Sequence, residues 1–118
     1  MTRRPDGALE SDIMRALWDS DGALSPGDIN DLLGASLAYT TVATVLSRLH
    51  AKGLVSRSDG GRHYVYEPAI GESELAVKKI GEVLASASDS RQVLAGFVGS
   101  LSHKDITLLR AMLDGGRG

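Results

Sequence analysis

Between Ala38 and Gly53 the chain sorts its side chains into two kinds, and this run constrains the fold more than any other. Turned through about 100° per residue, Val42, Val45, Leu46 and Leu49 gather on one side of a helix, while Thr40, Ala43, Thr44, Ser47 and Ala51 gather opposite, flanked by Thr41 and Arg48. The spacing predicts a helix over 38–52 that buries one stripe. A solvent-facing side would normally carry Glu, Lys and Gln, because threonine is β-branched and a poor helix former. Short hydroxyl and methyl side chains instead let a helix lie close against another surface. Thr or Ser then pairs with a base edge or phosphate, and a methyl meets the methyl of thymine. The same face also suits a protein surface, and the helix taken alone leaves both readings open.

The flanking residues place this helix in an order of elements. Leu9, Ile13 and Leu17, with Met14, Ala16 and Trp18 beside them, predict a first helix over 8–20, ended by the turn pair Asp21-Gly22. Ala23-Leu24 allows only a short extended piece. Ser25-Pro26-Gly27-Asp28 reads as a helix start, with Ser25 capping, Pro26 at the first helical position and Asp28 closing a capping box. Ile29, Leu32 and Leu33 bury this second, short helix, and Gly34 stops it. Gly53 ends the third helix. Leu54-Val55-Ser56-Arg57 and His63-Tyr64-Val65-Tyr66-Glu67 are β-type runs separated by a glycine-bearing turn, a hairpin signal. The adjacent glycines are not followed by a helix and Lys-Ser/Thr, so they do not make a phosphate loop.

After Pro68 helical spacing returns. Leu75, Ala76, Ile80, Val83, Leu84 and Ala87 mark one helix, Asp89-Ser90 caps a second carrying Val93, Leu94, Phe97, Val98 and Leu101, and Ser102 opens a third with Ile106, Leu109, Met112 and Leu113. Three short helices in so small a tail bury this much aliphatic surface most economically against a second copy of the chain. Folding back onto the preceding elements is the rival. The dimerisation candidates are Leu84, Val93, Leu94, Phe97, Val98, Leu101, Ile106, Leu109 and Leu113. The expected fold is mostly α with a small β-hairpin wing: a flexible tail over 1–7, a winged helix-turn-helix over 8–70, a helical dimerisation region over 71–114 and a short tail over 115–118. Arg3 and Arg4 read either as a minor-groove arm or as part of a mobile start.

Net charge is −2 over 118 residues, but the charges are segregated. Seven acids lie between Asp6 and Asp31 against one base, Arg15; from Ser36 to Val65, Arg48, Lys52, Arg57 and Arg62 face only Asp59, with His50 and His63 adding to the basic side. Local potential, rather than the sum, is what attracts a polyanion. No apolar run reaches the roughly 18 residues of a membrane span, and MTRRPDG lacks the apolar stretch of a signal peptide, so a soluble cytoplasmic protein without membrane association is expected. Without cysteine there is no disulfide, thiolate metal site or cysteine nucleophile. His50, His63 and His103 are scattered, with no HExxH spacing and no Gly-x-Ser-x-Gly elbow. No catalytic residues, no metal and no cofactor are expected.

The residues Ala38-Tyr39-Thr40-Thr41-Val42-Ala43-Thr44-Val45-Leu46-Ser47-Arg48-Leu49-His50-Ala51-Lys52-Gly53, followed by Gly61-Arg62-His63-Tyr64-Val65-Tyr66-Glu67-Pro68, resemble the penicillinase-repressor family of bacterial winged-helix regulators, which includes methicillin-resistance regulators and copper-transport repressors. The resemblance extends from Leu9-Glu10-Ser11-Asp12-Ile13-Met14 and Leu17-Trp18 to the closing helix. It implies a homodimeric repressor on an inverted-repeat, double-stranded DNA operator in the bacterial cytoplasm, associated with the nucleoid when bound. Thr40, Thr41 and Thr44 fall on groove-facing positions and Arg48 on a phosphate contact. Ser47 and Tyr39 assist the base readers, and Lys52, Arg57, Arg62 and His63 complete the phosphate set. Ala43 stands where other members carry larger side chains. Four phosphate-bound bases per subunit predict a salt slope of about −7 for a dimer in log–log form. Copper-responsive members add a cysteine-rich tail, which this cysteine-free sequence does not share. In β-lactam-responsive members a protease acts at an Asn-Phe bond; the similar stretch here reads Leu94-Ala95-Gly96-Phe97, so the resemblance implies a regulatory protease and a cleavage region at Gly96 and Phe97, with glycine in place of asparagine.

Overall fold

The computed structural model describes residues 6–34 and 37–115; Arg3 and Arg4 lie outside them. The element order is α1 (Asp6–Asp19), α2 (Pro26–Leu32), α3 (Tyr39–Ala51), β1 (Val55–Asp59), β2 (Tyr64–Pro68), α4 (Glu72–Ser86), α5 (Ser90–Ser100) and α6 (His103–Asp114). It is a mostly helical chain with one two-stranded antiparallel hairpin, as expected. α1 starts at Asp6, two residues ahead of the expected helix, so Gly7 is helical rather than part of a tail. The chain divides into two compact units, Met1–Leu75 and Ala76–Gly118, the division falling inside α4.

The first unit has its own core. Leu9, Ile13, Met14 and Leu17 of α1, Ile29 of α2, and Val42, Val45, Leu46 and Leu49 of α3 close together with Leu54, Val55, Tyr66 and Leu75. Trp18 is only partly buried, and its indole N–H donates to the carbonyl of Ile70 at 2.9 Å. The guanidinium of Arg15 lies 5.5 Å from the Trp18 ring centre and pairs with Glu72 at the start of α4. That partner holds the Glu72 carboxyl below the usual carboxylate range.

The start of α2 is the capping box that Ser25 and Asp28 predict. The Asp28 amide donates to Ser25 Oγ and the Ser25 amide donates to Asp28 Oδ2, both at 3.1 Å. The Ser25 amide and then its hydroxyl hold the Asp28 carboxyl below its ordinary value, with a smaller contribution from His63. Ser25→Ala is expected to destabilise the unit by about 1 kcal/mol in urea unfolding at neutral pH. Because the folded-state pKa of Asp28 is depressed, its contribution is full above the unfolded value of about 4 and is lost as pH falls through the folded value. An Asp28→Ala deficit is therefore expected to shrink in acid, whereas the Ser25→Ala deficit, which leaves the Ser25 amide in place, should change less with pH.

Leu24 does form a short extended piece. It bridges Tyr66 in both directions, Leu24 N–H to Tyr66 C=O at 2.9 Å and Tyr66 N–H to Leu24 C=O at 2.7 Å. The connection between α1 and α2 thereby joins the edge of the hairpin.

Candidate nucleic-acid interface

α3 presents the two faces that its sequence separates. Val42, Val45, Leu46 and Leu49 are buried, whereas Tyr39, Thr40, Thr41, Thr44 and Ser47 are all exposed. Its N-cap, Ala38, supplies no side-chain cap, and of the first-turn amides that of Thr41 bonds the Ala38 carbonyl at 3.0 Å. Asn30 of α2 fixes the chain leading into α3: its Nδ2 donates to the Leu37 carbonyl at 2.7 Å, and the Leu37 amide donates back to Oδ1 at 3.3 Å. The far end of α3 closes on Gly53, whose φ of +78° belongs to the left-handed region that a Cβ disfavours. Gly53 N–H bonds the His50 carbonyl and Leu54 N–H bonds the Leu49 carbonyl, both at 3.0 Å, a complete Schellman ending that turns Leu54 back into the core.

The hairpin follows at once, paired from Val55 with Pro68 to Asp59 with Tyr64. Arg57 and Tyr64 share a face, and the guanidinium sits 4.2 Å from the ring centre, a cation–π contact that props the cation outward. Tyr64 in turn meets the edge of the buried Tyr66 ring at 6.4 Å. At the tip, Gly60 has no room for a side chain, since a Cβ would stand 2.7 Å from Val65 Cγ1 and 2.9 Å from the His63 carbonyl. Arg62 and His63 occupy this tip and are exposed.

Arg48 and Lys52 are also exposed, but neither cation stands alone. Both turn toward Glu10 of α1: Lys52 Nζ donates to its two carboxylate oxygens at 3.2 and 3.1 Å, and Arg48 Nη1 lies 3.8 Å from Oε2. The sequence reading missed Glu10 and Asn30. Asn30 had a signal, a polar residue set directly beside buried Ile29, but the partner of Glu10 is 42 positions away and nothing local announces it.

In the second unit, the dimerisation candidates form an apolar surface. Val93, Leu94, Phe97, Val98 and Leu113 are exposed, Leu84, Leu101, Ile106 and Leu109 only partly buried, and no residue of α5 or α6 is buried. Ile80, Val83 and Leu84 of α4 and Val93, Leu94 and Phe97 of α5 line an open groove of about 300 Å³, with Lys79 at its rim. Gly96 and Phe97 lie within α5. Among the described residues no group of three or more His, Asp or Glu side chains is placed to hold a metal ion, and no helix is long and apolar enough to cross a membrane.

Three helices, a short extended segment paired to the sheet, and a basic hairpin make the first unit a winged helix-turn-helix, followed here by a helical C-terminal unit. The Penicillinase repressor family model matches residues 7–115, and the chain belongs to this family of transcriptional regulators, which are not enzymes. The transcriptional regulator BlaI of Mycobacterium tuberculosis, in strains CDC 1551 / Oshkosh and ATCC 25618 / H37Rv, is 35% identical over 120 residues, spanning 95% of this chain and 87% of that protein. Among solved structures, a MarR family protein from Bacillus stearothermophilus is similar at 18% identity and a TM-score of 0.47, covering 99% of this chain and 74% of that one. The transcriptional regulator Tm0710 from Thermotoga maritima is similar at 22% identity and a TM-score of 0.46, covering 93% and 72%.

Proposed function

We propose that the chain is a sequence-specific repressor that binds an inverted-repeat operator as a homodimer. In this reading 8–70 is the DNA-binding part, 71–114 the dimerisation part, and the protein works in the cytoplasm on the nucleoid. The observation that carries the DNA reading is the exposed hydroxyl face of α3, on a helix whose other face is wholly buried. Thr40, Thr41 and Thr44, with Ser47 and Tyr39, read base edges from the major groove. Arg48, Lys52, Arg57, Arg62 and His63 position the phosphates. The first turn of α3 has no side-chain cap, so the amides of Tyr39 and Thr40 would serve a phosphate as well.

Self-association is supported by the second unit, where no residue of α5 or α6 is fully buried and the groove beside Phe97 is apolar. A partner copy covers such a surface with two-fold symmetry. Relief of repression by a regulatory protease completes the proposal: cleavage near Gly96 and Phe97 would split α5 and detach α6 from the rest of the chain.

The test is a footprint of the purified protein on the DNA upstream of its own gene, at two salt concentrations. A protected palindrome with half-sites about one helical turn apart is expected. No protection even at low salt would overturn the DNA reading and assign the α3 face to a protein partner.

A further inference from the structure

We infer that Glu10 is a specificity-determining residue that stands in for a phosphate at the end of α3, lowering the protein's attraction to DNA of any sequence. The inference rests on the DNA reading above.

Its physical basis is the geometry of three side chains. Arg48 and Lys52 are four residues apart, so both leave α3 on one edge, and one carboxylate is enough to meet both. Glu10 comes from the neighbouring helix, where Leu9 and Ile13 lock α1 into the same core as Leu46 and Leu49. Its side chain is the most enclosed of the three, 19% exposed against 43% for Arg48 and 50% for Lys52, so the acid is held and the bases are the movable partners. Two oxygens facing an ammonium and a guanidinium reproduce what a phosphodiester offers. Ion pairs this exposed contribute little to stability. Their main consequence is electrostatic, leaving a net single positive charge where the sequence shows two.

This changes the expected salt dependence. Of the four positions at Arg48, Lys52, Arg57 and Arg62, Glu10 cancels one, leaving three net charges per subunit. The wild-type dimer is then expected to show a log–log salt slope of about −5 on a duplex of arbitrary sequence, rather than about −7. Such damping acts on phosphate attraction, which every sequence shares, and leaves base reading by the Thr face untouched. The ratio of operator to arbitrary binding thereby comes to depend more on the threonines.

The experiment titrates the full-length protein onto an arbitrary duplex across a salt series, for wild type, Glu10→Gln and Asp21→Asn. The last removes an equal charge from an exposed residue on the α1–α2 connection. Glu10→Gln is expected to steepen the slope by about 2 per dimer and to tighten arbitrary binding about tenfold or more near 0.1 M salt, while Asp21→Asn leaves the slope at the wild-type value. A wild-type slope of about −7 would overturn the inference without any variant, and so would an unchanged slope in a folded Glu10→Gln or an equal change in Asp21→Asn. A wild-type slope near zero is a different failure, removing the DNA reading itself.

Discussion

Phe97→Glu is expected to leave the protein monomeric where the proposed dimer forms through the groove of the second unit. Phe97 is 52% exposed and lines the groove with Ile80, Val83, Leu84, Val93 and Leu94. In a two-fold interface the substitution acts twice, placing two carboxylates in an apolar contact and removing two rings. The expected penalty is about 3 kcal/mol or more for the pair, weakening self-association by at least about a hundredfold. Sedimentation at micromolar concentration checks it, with the melting of the first unit as a control that should not move. A variant that still sediments as a dimer would show that this face does not join the copies. Operator affinity should fall along with the dimer, because a lone winged helix grips one half-site.

Leu46→Ala is expected to be among the most damaging single truncations in the first unit. Leu46 is fully buried near the centre of α3 and belongs to the core cluster of the first unit. Removing the isopropyl group beyond its Cβ leaves a cavity and costs about 2–5 kcal/mol, a large share of the roughly 5–15 kcal/mol that stabilises a small domain. At about 4–8 °C per kcal/mol, the melting temperature should drop by about 8 °C or more. Thr44→Ala, two residues earlier on the exposed face, should change stability by no more than about 0.5 kcal/mol. Thermal unfolding followed by circular dichroism separates the two, and equal losses would contradict the two-faced description of α3.

That description was legible before any coordinates because the period of α3 is strict and its two faces differ in kind. The same holds for the Ser25–Asp28 box, the stop at Gly53 and the caps at Asp89 and Ser102, each a local arrangement within a few residues. Element ends were less legible. The first strand was expected from Leu54 but begins at Val55, because Leu54 serves the closing turn of α3 instead. It also runs on to Asp59, where the two glycines permit a tighter tip than the sequence reading allowed. The proposed phosphate-contacting set could be drawn up from residue type alone. The charge state of that set could not, since Glu10 meets Arg48 and Lys52 only after α1 has packed on α3.

The bridge between Leu24 and Tyr66 has a mechanical consequence. Two hydrogen bonds and a buried tyrosine weld the base of the wing to the segment that enters α2, so base and helix pair form one stiff body. The wing has no hinge where it joins the domain. The ladder ends at the pair Asp59 and Tyr64, so in the proposed complex with DNA it is the tip at Gly61 and Arg62, not the base, that would adjust to a curved or narrowed duplex.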